Sequence, residues 1–162
     1  MKISKQEEYG LRCILQLARA GSGRSMAVTE IARSEGLSTD YVTKLLVQLR
    51  RSGLLTSARG TKGGYTLKGP PEEISLGEVM RALGGFFYPK DMCSVFPGKL
   101  DECTHLGNCG IRPIWAILAR QIYTTLNRTS LADLLLEERE VERLLASRAT
   151  KTPDSVPLES RR

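Results

Sequence analysis

Three stretches of this 162-residue sequence predict a mainly α fold with a small β-hairpin. The first is Ser38 to Leu49. Ser38 is a good helix N-cap, and Val42, Leu45, Leu46 and Leu49 then recur at i, i+3, i+4, i+7, which is one apolar helix face. The second is Leu54 to Leu67, where two strand-like pieces (54–58 and 64–67) flank the basic, glycine-permitted tip R-G-T-K-G. The third runs on from Pro113, where Ile114, Trp115, Leu118, Ile122 and Leu126 make a long apolar stripe. A helix of that kind followed by a hairpin with Arg59 and Lys62 at its tip is a winged helix-turn-helix, and the long helix after it needs a surface to cover.

Taken in order, the chain opens with a helix. Ser4 and Glu7 fit a capping box, Leu11, Ile14, Leu15 and Ala18 form its stripe, and Gly21 and Gly23 end it. Cys13 lies inside this helix and reads as a small buried hydrophobe. Thr29 to Glu35 is a short second helix. Gly36 turns the chain, Leu37 plugs the core, and Ser38 starts the third helix, which Gly53 stops; this is helix-turn-helix spacing. Lys68 to Glu73 is a connector, and Ser75 to Leu83 is a helix with a second S-x-x-E box. Residues 86–110 read as an irregular loop, and a loop of that length is either functional or disordered. Pro113 suits the first position of the long helix, and Ser130 caps a last helix running to about Ser147. The expected divisions are a winged helix-turn-helix DNA-binding domain (1–70), a connector helix with a cysteine-rich loop (71–110), a dimerisation helix with a C-terminal helix (111–147), and a disordered tail (148–162).

Charge points to the partner. Residues 1–70 carry 12 Lys and Arg against 5 Asp and Glu, a balance of +7, whereas residues 71–162 carry 12 against 13, a balance of −1. The basic excess sits in the half that holds the helix and hairpin, which matches duplex DNA. A membrane surface fits less well, because no helix combines a basic face with bulky apolar anchors. No apolar run is long enough to span a bilayer and no signal region opens the chain, so a cytoplasmic protein is expected. There is no phosphate loop and no G-x-S-x-G, and one histidine leaves little room for acid–base chemistry, so an enzyme is not expected. The candidate DNA-facing side chains are Ser38, Thr39, Tyr41, Thr43 and Lys44 on the helix, with Arg59 and Lys62 on the wing. A symmetric dimer, joined through the long helix, would match a palindromic operator.

Cys93, Cys103 and Cys109 read C-x9-C-x5-C, with His105, the only histidine, among them. Soft thiolates suit an iron–sulfur cluster, and three of them leave one coordination position open. The same residues also fit a structural zinc site of three cysteines and His105, or bare thiols that pair on oxidation.

The run G-L-L-T-S-A-R-G-T-K-G-G-Y-T-L, the start M-K-I-S-K, and a cysteine loop before a tryptophan-bearing helix resemble the Rrf-two family of bacterial transcription regulators, over about residues 1–140. The resemblance implies a homodimeric winged-helix repressor, with an iron–sulfur cluster on the cysteine loop in many members. It carries DNA contact onto Ser38, Tyr41, Thr43, Lys44 and Arg59. In IscR-like members the fourth ligand is a histidine three residues beyond the last cysteine, where this chain has Arg112. In NsrR-like members it is a carboxylate near the start of the first helix, where this chain has Glu8, which would come from the partner subunit; His105 is its rival. The nine-residue first gap leaves a two-iron or a four-iron cluster open. The expected function is thus a dimeric repressor whose operator binding is set by a cluster sensing redox state, nitric oxide or iron. The alternatives are a cluster-free regulator that works through thiols or a partner protein, and a cluster-bearing redox protein.

Overall fold

The computed structural model describes residues 3–21, 23–58, 63–85 and 92–149. Its first helix, α1 (Lys5–Ala20), starts as the S-x-x-E spacing predicts: the Ser4 hydroxyl accepts from the Glu7 amide at 3.2 Å, and the Glu7 carboxylate accepts from the Ser4 amide at 2.6 Å. Cys13, Ile14, Leu17 and Ala18 form the buried side of α1, flanked by the half-buried Leu11 and Leu15. In α2 (Val28–Glu35), which starts one residue before the predicted Thr29, the Glu30 carboxylate accepts from the Ala27 amide at 2.7 Å. Gly36 leaves α2 in the left-handed region (φ 66), a conformation that favours glycine. Ser38 then caps α3 (Thr39–Arg51), its hydroxyl accepting from the Tyr41 amide at 3.3 Å. The predicted apolar face of α3 is the buried one: Val42, Leu45, Leu46 and Leu49 are all in the core.

Strands β1 (Leu55–Ala58) and β2 (Gly64–Leu67) pair antiparallel, with Leu55 opposite Leu67 and Ala58 opposite Gly64. A further bridge was not predicted. Met26 exchanges backbone hydrogen bonds with Tyr65 at 2.9 and 3.0 Å, so the segment before α2 anchors the hairpin. One residue of pairing carries no period-2 pattern, so sequence cannot reveal it.

The core closes between α1, α2 and α3 and takes in Val79 and Leu83 from the region of α4 (Leu76–Ala82), with Ile74 and Leu131. Gly10 on α1 makes this possible, because a Cβ there would collide with the Leu83 side chain. A second capping box starts α4: the Ser75 hydroxyl accepts from the Glu78 amide at 3.2 Å and the Glu78 carboxylate accepts from the Ser75 amide at 2.9 Å. The Ser75 amide, and the Ser75 hydroxyl donating to the same carboxylate at 2.7 Å, hold the Glu78 carboxyl below the usual range.

Three expectations are corrected. The loop 86–110 is not wholly irregular: a single helical turn, α5 (Met92–Val95), sits within it, too short to leave a periodic signal, and residues 86–91 lie outside the described residues. The long helix, α6 (Ile111–Asn127), starts two residues before Pro113, which is the third helical residue rather than the first. Pro113 is tolerated there because first-turn amides have no intrahelical acceptor to lose. The last helix does not start at Ser130. Ser130 and Asp133 cap one another (3.2 and 2.8 Å) around a 3-10 turn, Asp133–Leu135; Leu136 is extended, and α7 (Glu138–Ala149) follows separately. Arg148 of α7 returns to Asp133 at 2.7 Å, which together with the Ser130 bonds lowers the Asp133 pKa. The expected disordered tail lies outside the described residues, apart from Arg148 and Ala149, which belong to α7.

Candidate nucleic-acid interface and cysteine cavity

Burying one side of α3 leaves the other to solvent. Ser38, Thr39, Thr43 and Lys44 are exposed there, along with Asp40. The Thr43 hydroxyl donates to the Thr39 carbonyl at 2.8 Å, which leaves its lone pairs for an outside donor. Tyr41 is half-buried and differently placed. Its ring meets the ring of Tyr9 edge-to-face, with centroids 6.1 Å apart and planes at 87°. The Arg12 guanidinium lies 5.5 Å from the Tyr9 centroid and pairs with Glu35 at 2.6 Å, and the Gln16 amide donates to the same carboxylate. The orientation of Tyr41 is therefore set by α1 and α2 together. Tyr9 and Arg12 are contributors that sequence reading missed, since an aromatic and a cation on one helix carry no sign of what they touch. Arg59 and Lys62 lie outside the described residues.

A second set of bonds ties α3 to α4. Gln6 of α1 donates to the Leu83 carbonyl at 2.7 Å and to the Gln48 side chain at 3.2 Å, while Gln48 of α3 donates to the Ala82 carbonyl at 2.9 Å. The C-terminal end of α4, from which the chain leaves for the cysteine loop, is thus held by α1 and α3 at once.

The four cysteines are free thiols and divide into two environments. Cys13 is fully buried, as its place on α1 predicts, and desolvation pushes its thiol up to about 12. The thiol is protonated in both folded and unfolded states at neutral pH, and the fold loses stability as pH climbs from about 9 to about 12, where only the unfolded chain gives up the proton. Iodoacetamide at neutral pH is therefore expected to label Cys93, Cys103 and Cys109 in the native protein and Cys13 only after denaturation. Equal labelling of all four under native conditions would contradict the burial.

Cys93, Cys103 and Cys109 are half-buried and line one cavity of about 480 Å³ with His105, Phe96, Ile111, Arg112 and Trp115. The fold thus brings the three loop cysteines to one place and sets α6 beside them. The Arg112 guanidinium donates to the Cys93 sulfur at 3.8 Å. As a donor set, three thiols and an imidazole over an apolar floor match a soft metal centre. They are not drawn together: among the described residues, no three His, Cys, Asp or Glu side chains are grouped so that they could hold a metal ion. Glu8 is exposed on α1 and does not line the cavity.

Helix α6 itself is two-sided. Ala119 is buried, and the side toward α4 crosses closely at Gly77, where a Cβ would run into Asn127. Ile114, Trp115 and Leu118 remain 50%, 47% and 41% exposed. Among the described residues, no helix is long and apolar enough to cross a membrane.

A family model described as Rrf2, iron-dependent transcriptional regulator, matches residues 3–137. The chain is 35% identical over 135 residues to protein rrf2 of Nitratidesulfovibrio vulgaris, covering 83% of this chain and 87% of that one. CymR, the global cysteine regulator of B. subtilis, superposes with a TM-score of 0.66 at 30% identity, over 83% of this chain and 95% of the other. The oxidized form of Staphylococcus aureus CymR gives 0.62 at 30% identity, over 81% and 93%. IscR of T. potens gives 0.64 at 24% identity, over 96% and 94%, a likeness of fold. The predicted architecture, mainly α with a hairpin wing and a long helix beyond it, is the one these neighbours share.

Proposed function

The chain belongs to the Rrf2 family of transcriptional regulators, and on that premise we propose that it is a homodimeric repressor whose DNA binding is set at the cysteine cavity. The observation that carries the reading is the shared cavity of Cys93, Cys103 and Cys109, sixteen residues apart at the extremes yet facing one space. These thiolates would hold an iron–sulfur cluster, with Glu8 of the partner subunit as fourth ligand and His105 as the rival. Such a cluster would supply a centre that oxidation, nitric oxide or iron loss can alter, and an oxygen or nitrogen ligand in place of a fourth thiolate would make it easier to attack. The repressor's own residues carry the consequence. Glu8 is on α1, next to Tyr9, whose ring meets Tyr41 of α3, and Gln6 of the same helix bonds Gln48 of α3. A displacement of α1 at Glu8 therefore moves the helix proposed to read DNA.

The DNA-facing set is Ser38, Thr39, Tyr41, Thr43 and Lys44, with Arg59 and Lys62 at the wing tip. Arg59→Ala is expected to weaken operator binding at least about tenfold, the size of one good arginine contact in a groove. An affinity within a factor of about two of wild type, by fluorescence anisotropy at fixed salt, would remove the wing as a main anchor.

Anaerobic purification tests the cluster. Iron and acid-labile sulfide in each monomer, with visible absorption bleached by air or nitric oxide, are expected. A second reading has its own support: the thiols are free, no metal-holding group is gathered among the described residues, and a structural relative at 30% identity, CymR of B. subtilis, is a global cysteine regulator. Under it, the same cavity senses through thiol oxidation, and the purified protein would contain no sulfide.

A further inference from the structure

Building on the cysteine cavity above, we propose that Arg112 is a positioning residue of that cavity, and that its guanidinium, bonded to the Cys93 sulfur, offsets the negative charge of a thiolate-bound centre there. Among the described residues, the lining contains no carboxylate, and Arg112 is its one permanent cation. Guanidinium stays protonated and has no lone pair to give, so it cannot replace a histidine ligand at this place in the chain. What it can do is donate to sulfur, and it is placed to do so at 3.8 Å. The position two residues into α6 matters, because it presents the side chain toward the loop from a rigid element rather than from the loop itself.

The chemistry follows from charge. A centre held by three thiolates retains net negative charge, and a cation beside one of those sulfurs offsets it. A hydrogen bond to a ligand sulfur also favours the reduced state, because added electron density on sulfur strengthens the bond. Arg112 would therefore set how readily such a centre accepts an electron, while Cys93, Cys103 and Cys109 would decide whether it is held.

Two measurements on the full chain test this. In metal-free protein, the rates of alkylation at each cysteine are compared for anionic iodoacetate and neutral iodoacetamide. Their ratio cancels the fraction of thiolate and reports the local charge. In Arg112→Gln the ratio at Cys93 is expected to fall about fivefold, as loss of one charge a few ångström away in a wet site requires. It should change less at Cys103 and Cys109, and Arg112→Lys should retain most of it. Continued protection of Cys13 reports that the variants are folded. An unchanged ratio at Cys93 in Arg112→Gln overturns the proposal. In protein reconstituted with iron and sulfide, Arg112→Gln is expected to load as wild type does but with a more negative midpoint potential. Full loading with an unchanged potential overturns the electronic part. Wild-type protein that takes up neither iron nor sulfide overturns the cluster reading, and the alkylation ratio then decides the role of Arg112 without it.

Discussion

Leu118→Glu is expected to leave the protein monomeric and to lower its affinity for a two-half-site operator at least about a hundredfold, because linked half-sites contribute that much or more beyond a single contact. Leu118 is 41% exposed in the single chain, so the charge disturbs little within one subunit. It would disturb the proposed contact between α6 helices of two subunits, where an unpaired carboxylate would be buried against apolar side chains. Sedimentation gives the oligomeric state, anisotropy gives the affinity, and circular dichroism checks that the helices remain. A variant that stays dimeric and binds as wild type would mean that α6 faces something other than a second copy. The neighbouring Ala119 is buried, so a charge there would unfold rather than dissociate, and it is no substitute for Leu118.

Gly64→Val is the second large effect. A Cβ at Gly64 would run into the Met26 carbonyl, and that obstacle is backbone, which cannot rotate aside. Either β2 or the Met26 segment must move, and the Met26–Tyr65 hydrogen bonds are lost with it. Overpacking of this kind costs about 1–3 kcal/mol, and the upper end is expected here. The hairpin then keeps its strand pairing and Leu67 in the core but loses its tie to the segment before α2, and operator affinity should fall more than about tenfold, at least as far as with removal of an arginine contact. Urea melts and anisotropy on the same sample separate the two consequences. Wild-type stability would show that the Met26 segment can yield.

Several features could be read along the chain because they depend on neighbours a few residues apart. Ser4 with Glu7 and Ser75 with Glu78 start α1 and α4 by reciprocal bonds within one turn, and the spacing of Val42, Leu45, Leu46 and Leu49 chooses the buried side of α3. Burying that side leaves Ser38, Thr39, Thr43 and Lys44 outward, so the candidate DNA-reading face was legible too. The split of the last helix was not. Ser130 looks like any N-cap, and only Arg148, fifteen residues beyond Asp133, shows that the capped turn is a dock for α7.

Local spacing and charge thus decided most of the elements, their caps and the basic half, since caps and apolar faces rest on interactions within a turn or two and charge is read from composition. Packing decided the rest. It set Tyr9 against Tyr41, Met26 against Tyr65, Gln48 against the end of α4, and Arg112 against Cys93. These are contacts between residues up to about forty positions apart, and their energies depend on distance and desolvation, which exist only once the core has closed.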